Sequence, residues 1–226
     1  MLKKAIFALL VFVGASSSAF ATEKGPYEVV ADTTQALMAV IEEAKGYADK
    51  EPERFEREVR ELLDEVVDFQ SFARGVMGKY GSRGYYQSLK TEEERAKFRS
   101  QVIRFTENFK DGLINTYSKG LLTFNGNRIE VLPLAEDADL SGSVGVAQRI
   151  YGDRPQPYQV YYTLRKGGDG KWKVRNVIIE GLNVGELYQN QFAADARTYQ
   201  GDIDKVIDNW SVVPQDVLEG KAAEQK

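Results

Sequence analysis

The chain has 226 residues, with 30 Lys and Arg against 34 Asp and Glu, and contains neither cysteine nor histidine. That excludes disulfide frameworks, redox thiols, cysteine nucleophiles and a Ser-His-Asp triad in its usual form, and a zinc site would have carboxylates alone for donors. Proton transfer near neutral pH would fall to a shifted Asp, Glu, Lys or Tyr, so the composition leans toward binding rather than catalysis.

Residues 1–21 read as a secretory signal peptide. Lys3 and Lys4 form a basic start, and the apolar run at 5–14 is too short to span a bilayer. Ala19-Phe20-Ala21 is a small-x-small cleavage site with no cysteine after it, so no lipid anchor is expected. Cleavage removes Lys3 and Lys4 and takes the formal charge from −4 to −6. Residues 22–210 are expected to form one exported, soluble domain, and the polar segment 211–226 a disordered tail. Acidic and basic residues are mixed along the chain. No basic stripe marks a nucleic-acid partner, and strong attachment to an anionic membrane surface is not expected.

The first half reads as helical. Pro26 suits a first helical turn, and Val30, Leu37, Met38, Ile41 and Ala44 share a face that ends near Gly46. A second helix begins near Pro52, with Phe55, Val59, Leu62, Leu63, Val66 and Val67 apolar. A short segment at 68–77 carries Phe69, Phe72 and Val76 on one side. Gly75, Gly78, Gly81 and Gly84 then recur every third residue, too briefly for collagen and without the strand a phosphate loop needs. They read as a flexible connection with positive backbone angles, or as a mobile rim and hinge beside a ligand site.

Thr91 and Glu94 form a capping box for the longest helix, with Gly120 as its expected stop. Phe98, Val102, Phe105, Phe109, Leu113 and Tyr117 make an aromatic-rich stripe that is either core or the wall of a cavity. The period then changes to two. Strands are expected at 127–134, around Val144, Val146 and Ile150, and around Tyr158, Val160, Tyr162 and Leu164. Gly167-Gly168-Asp169-Gly170 is a hairpin turn. The next strand is apolar on both faces, with Trp172, Val174 and Ile178 on one and Val177 and Ile179 on the other. It is either covered twice or bulged near Asn176. Asn183 caps a further helix, and a last one runs at about 202–210. Helices, then consecutive antiparallel strands, then helices make an α+β fold.

Two candidate sites are weak. Asp137, Asp139, Ser141 and Gly142 imitate half a calcium loop, but Gln148 stands where a bidentate Glu is needed, so a plain turn is expected. Glu180, if buried near Tyr158 or Tyr162, could serve as an isomerase base; otherwise it caps a helix or pairs with an arginine. What remains is a surplus of 12 Tyr, 11 Phe and 2 Trp, which forms either a solid core or a dry cavity for an apolar guest.

An ordered set of motifs decides between these. Met77-Gly78-Lys79-Tyr80 precedes the capped helix with Phe98, Phe105, Phe109 and Thr116-Tyr117. Trp172-Lys173-Val174-Arg175-Asn176-Val177 leads to Glu180-Gly181, Tyr188 and Gln191-Phe192. Over roughly 32–210 the chain resembles the MlaC, or toluene-tolerance, family of periplasmic phospholipid carriers. That family commonly reads Trp-Lys-Val-x-Asp-Val, Glu-Gly-x-Ser and Tyr-Arg-x-x-Phe; Asn176, Asn183 and Gln189 depart from it.

The resemblance implies a nuclear-transport-factor-2-like curved antiparallel sheet with added helices enclosing an apolar pocket. It implies phospholipid as cargo, no cofactor or metal, no catalysis, and a monomer in the periplasm. The partners implied are an outer-membrane lipoprotein–porin complex and an inner-membrane ABC transporter complex with an MCE subunit. Such shuttling maintains outer-membrane lipid asymmetry and is usually assigned toward the inner membrane. Periodicity offers Phe72, Val76, Phe105, Phe109, Tyr117, Val144, Val146, Val160, Tyr162, Val174 and Val177 as the pocket lining. Competing readings are a chaperone or adaptor for hydrophobic polypeptide and the isomerase built on Glu180.

Overall fold

The structure is a computed structural model that describes residues 23–122, 128–152 and 154–212. The expected signal peptide at 1–21, Asn127 at the first expected strand, and the tail from 213 onward lie outside the described residues. Helices come first: α1 (Pro26–Ala44), α2 (Pro52–Val66), α3 (Phe69–Val76), a 3-10 turn (Gly78–Gly81), α4 (Arg83–Ser88) and α5 (Glu92–Leu122). Strands β1 (Arg128–Val131), β2 (Val144–Tyr151), β3 (Tyr158–Lys166), β4 (Trp172–Ile179) and β5 (Leu182–Asn183) follow, then α6 (Val184–Thr198) and α7 (Ile203–Asp208). The strands pair in chain order, each neighbour antiparallel, so the fold is α+β built on a five-stranded meander. Helix α1 packs on β1 to β4, while α2, α3 and α6 reach β4; α5 lies behind them against α2, α3 and α7.

Local chemistry sets the boundaries. Pro26 and Pro52 open α1 and α2, where a missing N–H costs nothing. The capping box forms as the sequence implies: Glu94 N–H donates to Thr91 Oγ1 at 3.1 Å, and Thr91 N–H donates to Glu94 Oε2 at 2.9 Å. Helix α5 does not stop at Gly120 but runs to Leu122, because Leu121 and Leu122 pack on the cluster of Ile41, Ala44, Phe55 and Val59. That contact offsets the ~1 kcal/mol a mid-helix glycine costs.

The glycine-spaced stretch is also ordered differently from the expectation. It forms the end of α3, the 3-10 turn and α4, and of its four glycines only Gly78 has a positive φ, 57°. Gly81 is there for close packing. A Cβ on it would stand 2.5 Å from the Arg74 carbonyl oxygen and 2.9 Å from Arg74 Cα, and the Gly81 carbonyl accepts Arg74 Nε–H at 2.8 Å. Gly75 has nothing within 4 Å of such a Cβ. Gly81→Ala is therefore expected to lower the unfolding free energy by ~1–3 kcal/mol. Gly75→Ala, inside a helix, should be neutral or stabilise by up to ~1 kcal/mol. Urea titration of both variants checks this; equal midpoints would mean that the segment is an open connection after all.

The aromatic stripe of α5 divides into two halves. Phe98, Val102, Phe105 and Phe109 join Phe72, Val76, Tyr188, Phe192, Val206 and Ile207 in a dry cluster between α3, α5, α6 and α7. Phe105 meets Phe192 and Trp210 edge-on, each at 4.9 Å between ring centres, and stacks on Phe109 at 5.9 Å. Asp204 fastens α7 to α5 by accepting from Gln101 Nε2 at 3.1 Å, Arg104 Nη1 at 2.8 Å and Lys97 Nζ at 2.9 Å. Those donors, Lys97 first, hold its carboxyl below the usual range against the opposing effect of burial. The packed chain extends past residue 210: Val212 is 8% exposed and belongs to this cluster, seated where Gly112 leaves no Cβ to obstruct it. Below Phe109, the same stripe faces a different environment.

Candidate functional site: an apolar cavity between helices and sheet

A cavity of about 310 Å³ lies between the inward face of the sheet and helices α1, α2, α3, α5 and the start of α6. Helix α1 contributes Val29, Val30, Thr33, Thr34 and Leu37, and α2 contributes Val59, Leu63 and Val66. Phe69 and Phe72 of α3, Leu113, Ile114, Tyr117, Ser118 and Leu121 of α5, and Leu187 of α6 close further sides. Tyr162 of β3 and Val174, Val177 and Ile179 of β4 form the sheet wall. Among the described residues, no carboxylate, amine or guanidinium lines it.

A bulge explains how three β4 residues reach one wall. Thr163 pairs with Asn176, and the next residue, Leu164, pairs with Val174, leaving Arg175 without an opposite partner. The extra residue reverses the alternation, so Val174, Val177 and Ile179 share the cavity face. This settles the two-sided apolarity of the sequence in favour of the bulge and moves Ile178 off the face of Val174. Arg175 is then used elsewhere. Its Nη2 pairs with Asp68 Oδ2 at 2.9 Å, Asp68 N–H donates to the Val174 carbonyl at 2.8 Å, and Asp68 Oδ1 caps α3 by accepting from Ser71 N–H at 2.9 Å. One aspartate thus fixes α3, with Phe69 and Phe72, over the bulge.

The three departures from the family motifs also carry contacts. Asn176 Nδ2 donates to Asn183 Oδ1 at 2.8 Å, so two of the changes meet in one hydrogen bond. Asn176 Oδ1 accepts Gly185 N–H at 3.0 Å, while Asn183 Oδ1 caps α6 by accepting Glu186 N–H at 3.1 Å. Gln189 Nε2 donates to the Gly75 carbonyl at 2.8 Å and ties α6 to the end of α3.

The polar chain that the described residues form in the sheet wall is self-contained. Tyr162 OH donates to Gln148 Oε1 at 2.9 Å, Gln148 Nε2 donates to Thr34 Oγ1 at 2.6 Å, and Thr34 Oγ1 donates to the Val30 carbonyl at 2.8 Å. Burial pushes the Tyr162 phenol up to about 12, so it stays protonated at physiological pH. This chain pins α1 to β2 and β3 through a buried network in which each side-chain oxygen and nitrogen has a partner. Hydrophobic periodicity does not single out Gln148 and Thr34 as site residues. The signal was a polar side chain at an inward strand position between Val146 and Ile150.

Of the eleven residues offered by periodicity, the structure brings Phe72, Tyr117, Tyr162, Val174 and Val177 together on the cavity. Val76, Phe105 and Phe109 lie in the aromatic cluster. Val144 and Val146 pack with Val29, Val30, Leu164 and Trp172, and Val160 is buried in β3 outside the lining. The helices α1 and α2, which supply much of the wall, were not among the eleven.

Glu180 lies away from the cavity. Its carboxylate accepts Gln159 N–H at 2.5 Å and pairs with Arg154 Nη2 at 2.5 Å. Those bonds, the backbone one first, hold it below the usual range. It is an exposed, ionised strand-end contact and offers no buried base to an isomerase. Asp139 Oδ1 accepts Ser141 N–H at 2.8 Å, which makes the calcium-like segment a local turn. No helix among the described residues is long and apolar enough to cross a membrane.

Comparison with known proteins agrees with this architecture. The family model described as MlaC protein matches residues 31–212. The chain is 34% identical over 203 residues to the toluene tolerance protein ttg2D of Pseudomonas putida, covering 90% of this chain and 87% of that one. It is similar in structure, with a TM-score of 0.59 and 23% identity, to the phospholipid-binding protein from Ralstonia solanacearum solved in complex with a phospholipid. That likeness covers 87% of this chain and 96% of the other and speaks to the fold. With the family match spanning nearly all the described residues and the identity sustained over the same length, the chain belongs to the MlaC protein family.

Proposed function

We propose that this protein is a periplasmic phospholipid carrier that holds acyl tails in the cavity and leaves the headgroup near solvent. The observation that carries this reading is a cavity of about 310 Å³ whose lining, among the described residues, contains no charged side chain. Phe72, Tyr117, Tyr162, Val174 and Val177, with the facing residues of α1 and α2, are assigned to the tails. Each buried methylene is worth ~0.8 kcal/mol, so two tails of common length represent on the order of 20 kcal/mol of transfer out of water. Spontaneous release into water is therefore closed off, and a partner has to receive the lipid. An inner-membrane ABC transporter complex with an MCE subunit and an outer-membrane lipoprotein–porin complex fit the two ends of such a route. Movement between them would maintain outer-membrane lipid asymmetry.

The cavity is at the low end of ordinary ligand pockets, ~300–1,000 Å³. Native mass spectrometry and organic extraction of protein purified from cells test the reading. The expected result is a phospholipid-sized adduct, recovered as intact diacyl lipid. Lipid-free protein that also takes up nothing from phospholipid vesicles overturns it.

A further inference from the structure

Among the cavity's polar side chains, one hydroxyl stands apart. Thr33 Oγ1 donates to the Val29 carbonyl at 2.6 Å and Thr34 Oγ1 to the Val30 carbonyl at 2.8 Å. Tyr162 OH donates to Gln148, and Tyr117 OH shares a hydrogen bond of 2.8 Å with Tyr188 OH. Ser118 lines the same cavity and is only 2% exposed, yet its Oγ has no hydrogen-bond partner among the described residues. Buried Thr106 on the same helix does otherwise, its Oγ1 donating to the Val102 carbonyl at 2.7 Å. A buried hydroxyl without a partner loses its hydration and gains nothing in return, so such groups in native proteins call for an explanation.

We infer that Ser118 is a specificity-determining residue that donates its hydroxyl hydrogen to an acyl carbonyl oxygen of the bound lipid. The inference rests on the carrier reading and adds the chemistry of recognition to it. A serine hydroxyl in an apolar wall cannot distinguish one methylene from another. It can distinguish an acyl carbonyl, a strong acceptor, from the methylene that replaces it in an ether-linked lipid. Ser118 lies beside Tyr117, which lines the cavity while remaining 40% exposed. A carbonyl at this wall places the hydrocarbon beyond it against Ile114, Leu113 and Phe72. The same acceptor chemistry is offered by the ester of a diacyl phospholipid and by the carboxyl of a free fatty acid; with no cation among the described lining residues to pair with a carboxylate, the position suits the neutral ester.

The test is a competition on the delipidated full protein, with diester phosphatidylcholine, its diether analogue and palmitate, read by native mass spectrometry. The wild type is expected to prefer the diester over the diether by roughly threefold to tenfold, the yield of one neutral hydrogen bond. Ser118→Ala should bind the two equally. The lipid-free variant should also melt no lower than the wild type, because the substitution removes a hydroxyl with no partner; a residue with a purely structural role would melt lower. Equal uptake of diester and diether by the wild type overturns the inference and leaves the carrier intact. Preference for palmitate over the diester overturns the ester assignment. Uptake of neither phospholipid overturns the carrier reading and the inference with it.

Discussion

Phe105→Ala is expected to lower the unfolding free energy by ~3–5 kcal/mol, a large share of the stability of a domain of this size. The ring is fully buried and touches rings from three directions: Phe109 on its own helix, Phe192 on α6 and Trp210 after α7. Its removal costs both the transfer of the aromatic group from water and a cavity that the neighbouring rings cannot refill, because each is held by further contacts. Phe109 also meets Phe72 at 5.3 Å and Tyr188 at 5.6 Å, and Trp210 also meets Phe192 at 5.8 Å. Domains of this kind are stable by only ~5–15 kcal/mol, so the variant should unfold at a much lower urea concentration. The slope of the transition should be unchanged, since the surface exposed on unfolding is nearly the same. A variant that unfolds at the wild-type midpoint would show that these rings are not close-packed.

The same residue shows where sequence pattern stops being informative. Phe105, Phe109, Leu113 and Tyr117 follow one another along α5 with the spacing of a single face, and periodicity treats them alike. A helix 31 residues long faces different neighbours along its length. Its first half meets α6 and α7, which the chain supplies last, and its second half meets the cavity. That difference depends on contacts between residues about a hundred positions apart, such as Arg104 with Asp204. Local signals behave otherwise. The capping box at Thr91 and Glu94, the cap at Asn183 and the turn at 167–170 are set by residues within a few positions of one another, and all three form as their chemistry requires. The glycines at 75, 78, 81 and 84 misled because glycine answers to two demands, freedom of φ and lack of bulk, and at Gly81 the second applies. The bulge in β4 was visible as broken alternation. Its consequence, three valine and isoleucine side chains on one wall, needed the pairing register to be seen.

Val177→Glu is expected to abolish phospholipid loading while preserving the fold. Val177 sits on the far side of the bulge, level with Tyr162 across the β3–β4 pair, and is only partly buried because it borders the cavity. Without lipid, the new carboxylate can take water into the space in front of it, so the protein should keep its wild-type circular dichroism. With lipid, the carboxylate must lie against hydrocarbon, and no cation among the described lining residues can pair with it. An unpaired buried ion costs several kcal/mol, which corresponds to at least about a hundredfold loss of affinity. The sign of the pH dependence follows from the same cause. Burial disfavours the charged form and raises the carboxyl's pKa in the loaded state, so binding recovers as pH falls and the carboxyl protonates. Loading measured by native mass spectrometry should therefore be absent at pH 7.5 and partly restored near pH 5, whereas Val177→Leu, which adds only apolar volume, should load at both. A Val177→Glu variant that carries lipid like the wild type at pH 7.5 would place the tails elsewhere in the protein. Recovery on acidification separates the charge from the size of the new side chain, because glutamic acid occupies the same space in both protonation states.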